Sequence, residues 1–158
     1  MDVATDTKRV EREIAIDARP ETVWELLVDP RELPRWMGQA ATIDLRRGGR
    51  YRIDVIPGHA ASGEFVEIDP PRRLVYTWGW EGSSSVPPGS TTVVFELLPR
   101  GKGTLLRLSH RDLPGAEAAA SHAHGWDHYT ERLAAIAAGG DPGPDPWING
   151  PMNGGEPA

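Results

Sequence analysis

Between Gly38 and Leu113 the chain repeats short segments of alternating apolar and polar residues, separated by turns rich in glycine and proline. Such alternation is typical of strands with one buried face, and short turns between them predict antiparallel pairing. The six segments are ATIDLRR, YRIDVIP, GEFVEID, RRLVYTWGWEG, TTVVFELL and GTLLRLSHR. A sheet with one apolar face needs a cover, so this feature requires another element of the chain that is large enough to lie across the sheet.

The cover is predicted at the end of the chain, where residues 116–138 form one long amphipathic segment. Its apolar stripe, at helical spacing, consists of His122, Trp126, Tyr129, Leu133 and Ile136. Ahead of the sheet region, residues 10–17 predict one further strand. Pro20 and Asp29-Pro30 each indicate the start of a short helix, the second distorted by Pro34. We therefore predict an α+β fold, with a curved antiparallel sheet of about seven strands wrapped around a long C-terminal helix.

The composition divides the chain into three parts. Residues 1–7 predict a flexible N-terminus, and residues 8–138 a single domain. Residues 139–158 predict an extended or disordered tail, because glycine and proline dominate it. Trp147 is the one possible anchor of this tail on the domain.

Charge and cysteine content exclude several classes of partner. The net charge is −6, from 17 Lys and Arg against 23 Asp and Glu, which argues against nucleic-acid binding through phosphate contacts. The absence of cysteine excludes disulfides and thiolate metal sites. No apolar run resembles a signal peptide or a membrane helix. We expect a cytoplasmic protein, monomer or homodimer, without membrane insertion.

The stretch LVYTWGW places four large side chains on one face of a strand, at Leu74, Tyr76, Trp78 and Trp80. Filling of the core beneath the long helix is one interpretation. Trp and Tyr also carry polar atoms that need partners, and Gly79 between the tryptophans allows a bend or a close backbone approach. Both details shift the interpretation of Trp78 and Trp80 from core filling towards a pocket wall.

Three residues are candidates for proton transfer: His110, His122 and Glu67. His110 continues the inward face of GTLLRLSHR, and a histidine there can contact a ligand or serve as an acid–base group. His122 lies on the stripe of the long helix. If Phe65 faces inward, Glu67 faces inward too, since residues two apart in a strand share one face. The sequence assigns none of the three as a catalyst.

His124 and His128 lie four residues apart on the long helix, a spacing that metal ligands use. We expect both to face solvent, opposite the buried stripe, so no metal is predicted. The serines lie in no nucleophile motif such as GxSxG, and we predict no cofactor.

The order of the predicted elements and the sequence of several segments resemble the START-like helix-grip (SRPBCC) superfamily, and within it the homologues of the activator of the heat-shock protein 90 ATPase. The matching segments are ARPETVWELLVDP, LPRWM, RRGGRYRIDV, SGEFVEIDPPRRLVYTW, TTVVFELLPRGKGTLLRLSH and HGWDHYTERLAAI. They cover roughly residues 8–138. The resemblance implies a helix-grip fold with a cavity and a habit of binding ligands, in a superfamily that includes binders, cyclases and co-chaperone domains. The implied cavity favours a pocket wall for Trp78 and Trp80.

The first hypothesis is therefore a protein that binds a small apolar or amphipathic molecule between helix and sheet. A cyclase or dehydratase in the same cavity is the alternative, and a chaperone-interacting module is a third. The expected ligand-binding residues are Trp36, Met37, Trp78, Trp80, Leu108, His110, Trp126 and Tyr129.

Overall fold

The computed structural model describes residues 8–148. The predicted flexible N-terminus and the end of the predicted tail lie outside the described residues. The seven strands are β1 (Lys8–Ile16), β2 (Ala40–Ile43), β3 (Arg50–Ile56), β4 (His59–Asp69), β5 (Arg73–Trp78), β6 (Thr91–Arg100) and β7 (Gly103–Leu113). The two α-helices are α1 (Pro20–Val28) and α2 (Ala116–Ala137), and a single 3-10 turn lies at Leu33–Arg35.

The strands form one antiparallel sheet in the order β1-β7-β6-β5-β4-β3-β2. Strands β2 to β7 are a meander, and β1 joins it at the far edge by pairing with β7. The backbone of α2 lies closest to β1, with α1 and β7 next. On the side of β3 to β5, long side chains fill the distance between helix and sheet. This architecture confirms the predicted α+β helix-grip fold.

The helices begin and end where local chemistry dictates. Pro20 occupies the first turn of α1, where its missing N–H needs no partner, and Glu21 complements the helix dipole there. The predicted second helix is reduced to the 3-10 turn around Pro34, since proline cannot donate within a regular helix. Gly139, at φ +90°, terminates α2.

The segment after β5 is shaped by Gly79. The backbone N–H of Ser62 donates to Gly79 O at 2.9 Å, and Trp80 N–H donates to Val86 O at 2.7 Å. A single bridge between Ala61 and Trp80 continues the sheet past the end of β5. Trp80 therefore keeps the inward direction of Tyr76 and Trp78, although it lies outside the regular strand. A Cβ atom on Gly79 would overlap the carbonyl oxygen of Pro87, so the close approach expected from the sequence is present.

We expect Gly79→Ala to lower the free energy of unfolding by about 1–3 kcal/mol, because the added methyl overlaps backbone that cannot rotate away. Urea unfolding monitored by circular dichroism measures this loss. Ser84→Ala, an exposed position in the same loop, is the matched control and should leave stability within about 0.5 kcal/mol of wild type. An equal effect of the two substitutions would contradict the close packing at Gly79.

Candidate functional site

A small cavity of about 30 Å³ lies between α2 and the inner face of the sheet. Its walls come from the segment after the 3-10 turn, from β3, from the end of β5 and from one face of α2. The lining residues are Met37, Val55, Trp78, Trp80, Ser121, His122, Gly125, Trp126 and Tyr129. A buried water needs about 10–15 Å³, so the cavity has room for one or two waters. It is far smaller than the ~300–1,000 Å³ of a typical ligand pocket.

The aromatic walls of the cavity pack largely edge to face. The rings of Trp78 and Trp80 meet at 5.4 Å and 83°, and Trp78 lies 5.8 Å from Trp126 at 45°. Phe95 supports Trp126 from beneath with an edge contact at 5.8 Å. Such offset geometries bring the positive edge of one ring to the face of another. The wall is therefore built of interlocked rings on β5, β6 and α2.

His110 lies next to the cavity and is sealed from solvent, at 0% exposure. Trp126 Nε1–H donates to His110 Nδ1 at 2.9 Å, and His110 Nε2 bonds Thr91 Oγ1 at 2.8 Å. Because the Thr91 hydroxyl donates to Trp78 O at 2.7 Å, its oxygen accepts from His110. His110 is thus a neutral imidazole with the proton on Nε2. Burial lowers its pKa well below the usual range, and His122 nearby lowers it further.

His122 has the opposite tautomer. Its Nε2 accepts from Trp80 Nε1–H at 3.0 Å, and its Nδ1–H donates to Ala118 O at 2.8 Å. Burial lowers the pKa of His122, and the bond to Ala118 partly offsets this. The two imidazoles meet edge to face at 5.0 Å. Each histidine has both ring nitrogens engaged, so neither presents a free proton acceptor to the cavity.

Two cavity residues carry buried polar atoms without a hydrogen-bond partner among residues 8–148. They are Trp78, through Nε1–H, and Tyr129, through its hydroxyl. Each residue is only 3% exposed. A buried donor without a partner costs roughly 1–3 kcal/mol. The surface of the cavity itself is apolar, so these two atoms are buried within residues of the wall.

Five of the eight residues expected to bind a ligand line this cavity: Met37, Trp78, Trp80, Trp126 and Tyr129. The other three are buried elsewhere. Trp36 donates its indole N–H to Leu26 O at 2.7 Å, Leu108 is paired with Phe95, and His110 lies behind Trp126. Three further residues line the cavity and were not expected: Val55, Ser121 and Gly125. The alternation of β3 would have pointed to Val55. Ser121, Gly125 and Tyr129 are spaced four residues apart and share one face of α2, and this spacing would have pointed to the other two.

The possibility that Glu67 faces the cavity is wrong. A bulge between Phe65 and Glu67 places the extra residue Val66 outside the regular register, and Val66 is 47% exposed. Phe65 stays inward while Glu67 turns to the outer face, where Arg73 bonds it at 3.1 Å. Strict alternation fails at a bulge because two residues oppose one.

The expectation that His124 and His128 both face solvent holds for His124 only. His128 is covered by residues that follow α2: Trp147 stacks on its ring at 3.7 Å and 15°, and Asp145 bonds its Nε2 at 2.8 Å. Within residues 8–148, no group of three or more His, Asp or Glu side chains has a metal-binding arrangement. Also among these residues, no helix combines the length and hydropathy needed to span a bilayer.

Comparison with known proteins gives one family and one fold. The model of the family "Activator of Hsp90 ATPase homolog 1-like protein" matches residues 17–138. An AHSA1-like protein from Rhizobium etli, solved by NMR, is 43% identical over 97% of this chain and 96% of its own, with a TM-score of 0.74. CalU16 from Micromonospora echinospora is 27% identical over 84% and 87%, with a TM-score of 0.66.

A more distant structure, the Aha1 dimer from Colwellia psychrerythraea, is 16% identical over 83% of this chain and 96% of its own. Its TM-score of 0.74 shows a shared fold. No curated protein matches the chain.

Proposed function

Because this chain belongs to the family of activator of Hsp90 ATPase homolog 1-like proteins, of a fold known for ligand binding, we propose that it binds one small, largely apolar molecule between α2 and the sheet. The molecule carries a hydrogen-bond acceptor such as a carbonyl. The observation that carries the proposal is the buried, unpartnered Nε1–H of Trp78, a residue that lines the apolar cavity and whose N–H a ligand would reach once the cavity enlarges.

Binding requires the cavity to enlarge, since about 30 Å³ cannot hold an organic ligand. The walls differ in how readily they can move. Trp126 and Tyr129 lie within α2, and Trp78 ends β5. Trp80 is held by the bond from its indole N–H to His122, whereas Met37 is an unbranched side chain with three rotatable bonds. We propose that Met37 turns aside while the other walls keep their positions.

Ligand binding is favoured over proton transfer by the state of the histidines. A general base needs a free lone pair within hydrogen-bond reach of its substrate, and the nitrogens of His110 and His122 are all engaged. Glu67 lies on the outer face of the sheet. The cyclase or dehydratase alternative and the chaperone-interacting alternative both stay predictions from the sequence.

The proposal is tested with two ligands of similar shape, 2-acetylnaphthalene and 2-isopropylnaphthalene, which differ in a carbonyl. In equilibrium dialysis we expect the ketone to bind about five- to tenfold more tightly, the net worth of one buried hydrogen bond. Trp78→Phe removes the donor and should bring the ratio close to one, with little change for the hydrocarbon.

Trp80→Phe is the matched control, because it also removes one indole N–H from the wall, but one already bonded to His122. The preference for the ketone should survive in this variant. Failure of both ligands to bind, or a preference that persists in Trp78→Phe, would overturn the proposal.

A further inference from the structure

The residues after α2 fold back along that helix rather than leaving the domain. We call residues 141–148 the C-terminal strap. Arg132 Nη2–H donates to Gly143 O at 3.0 Å, and Asp145 Oδ1 bonds His128 and also accepts from the backbone N–H of Trp147 at 3.0 Å. Asp145 and Trp147 are only 7% and 9% exposed. Side chains of α2 thus hold the strap by hydrogen bonds at Gly143 and Asp145, and His128 also stacks on Trp147.

The strap reaches the wall of the candidate site at Tyr129. The ring of Trp147 meets that of Tyr129 edge to face at 5.6 Å, and His128 contacts Tyr129 at 4.8 Å. Tyr129 also lines the cavity. Tyr129 therefore contacts both the cavity and the strap.

Tyr129 and two charged residues near it each carry a buried polar atom without a hydrogen-bond partner among the described residues: Tyr129 Oη, Arg132 Nε and Asp145 Oδ2. Arg132 follows Tyr129 by three residues and is its neighbour on the face of α2. Asp145 bonds His128, which directly precedes Tyr129. Consistent with this proximity, burial raises the pKa of Tyr129, Asp145 raises it further and Arg132 lowers it.

The set contains a donor, an acceptor and a hydroxyl that serves as either. A carboxylate alone would suit a cation, and a guanidinium alone an anion. Together they match one neutral group that both donates and accepts, which describes a hydroxyl. Apolar ligands without such a group would leave Asp145 Oδ2 and Arg132 Nε buried and unpaired, which weakens binding, and more so for charged groups than for neutral ones.

We propose that the C-terminal strap completes the ligand site, and that Tyr129, Arg132 and Asp145 bind a hydroxyl of the ligand. This inference rests on the proposed function and deepens it. The ligand class becomes an apolar molecule with an acceptor at the Trp78 end and a hydroxyl at the strap end. The hydroxyl donates its proton to Asp145 Oδ2 and accepts from Arg132 Nε–H or from the Tyr129 hydroxyl.

The test compares 2-acetylnaphthalene with its ring-hydroxylated derivatives, which are isomers of one another, by equilibrium dialysis against the full chain. We expect at least one isomer to bind wild type about fivefold or more tightly than the parent ketone. Asp145→Asn keeps an Oδ1 for His128 and Trp147 but replaces the accepting Oδ2 with an amide donor. It should erase the gain from the hydroxyl, so that the hydroxylated compounds bind this variant no more tightly than the parent ketone does.

Asp141→Asn is the matched control, because Asp141 lies on the same strap but is exposed, and it should preserve the gain. If Asp145→Asn detaches the strap, seen as loss of the Trp147 ring-current shifts on His128, Tyr129→Phe decides in its place and should also reduce the gain.

The outcomes separate the two proposals. If the parent ketone does not bind, the proposed function fails. If the ketone binds but no hydroxyl improves it, or if the gain survives both Asp145→Asn and Tyr129→Phe, the strap site is overturned and the three atoms serve only to hold ordered water.

Discussion

Lowering the pH from 7 to 5 is expected to reduce the stability of the fold steeply, because two neutral histidines are buried beside the cavity. The pKa values of His110 and His122 are both lowered by burial, below the unfolded value near ~6.5. Below pH 6.5 the unfolded chain therefore binds protons that the folded chain does not. The stability contributed by the neutral forms is complete above that pH and is lost as the pH falls towards the folded pKa values.

The expected slope is about tenfold in the folding equilibrium for each pH unit and each histidine, until the folded pKa is reached. Urea unfolding at pH 7, 6 and 5 measures it. His122→Gln should remove its share of the slope, whereas Ser121→Ala, its neighbour on α2, should keep the slope of wild type. A wild-type slope no steeper than that of His122→Gln would contradict the buried neutral state of His122.

Replacing Trp126 by alanine is expected to cause the largest loss of stability from a single substitution at the site, about 3–5 kcal/mol. Trp126 is 3% exposed, packs against Trp78 and Phe95, and donates to His110. Its removal leaves a large void and also an unpaired acceptor on His110, so two costs add. Chemical denaturation followed by circular dichroism gives the free energy of unfolding directly.

Trp147→Ala is the informative comparison, since Trp147 is also a buried tryptophan but belongs to the C-terminal strap. The strap can detach locally without unfolding the sheet, so the global loss should be below about 2 kcal/mol. Hydrogen exchange should accelerate within residues 141–148 and not in β5 or β7. Equal global losses for the two tryptophans would show that the strap is an integral part of the core.

The general fold could be predicted because hydrophobic period and turn chemistry agree along most of the chain. The alternation of LVYTWGW directed Leu74, Tyr76, Trp78 and Trp80 to one face, and all four are buried. Gly79 was expected to permit a close approach, and the Pro87 carbonyl occupies that position. Such features depend on neighbours in sequence, which the pattern contains.

Features set by neighbours in space could not be predicted. The bulge at Val66 turned Glu67 outward, and only the pairing with β5 reveals it. The covering of His128 depends on a glycine- and proline-rich segment whose composition does not indicate where Trp147 docks. The expected cavity is small because the large rings that suggested a pocket wall also fill most of its space. Which indole lacks a partner follows from three-dimensional geometry, since Trp78, Trp80 and Trp126 look equivalent in sequence.

The central claim is that Trp78 Nε1–H recognises an acceptor on a ligand bound between α2 and the sheet. The indole N–H resonance of Trp78, followed in ¹H–¹⁵N spectra during titration with 2-acetylnaphthalene, tests it most directly. A new hydrogen bond should move this resonance downfield, and 2-isopropylnaphthalene should not reproduce that shift. A Trp78 resonance that stays in place while the ketone binds, or that moves equally with both ligands, would contradict the account.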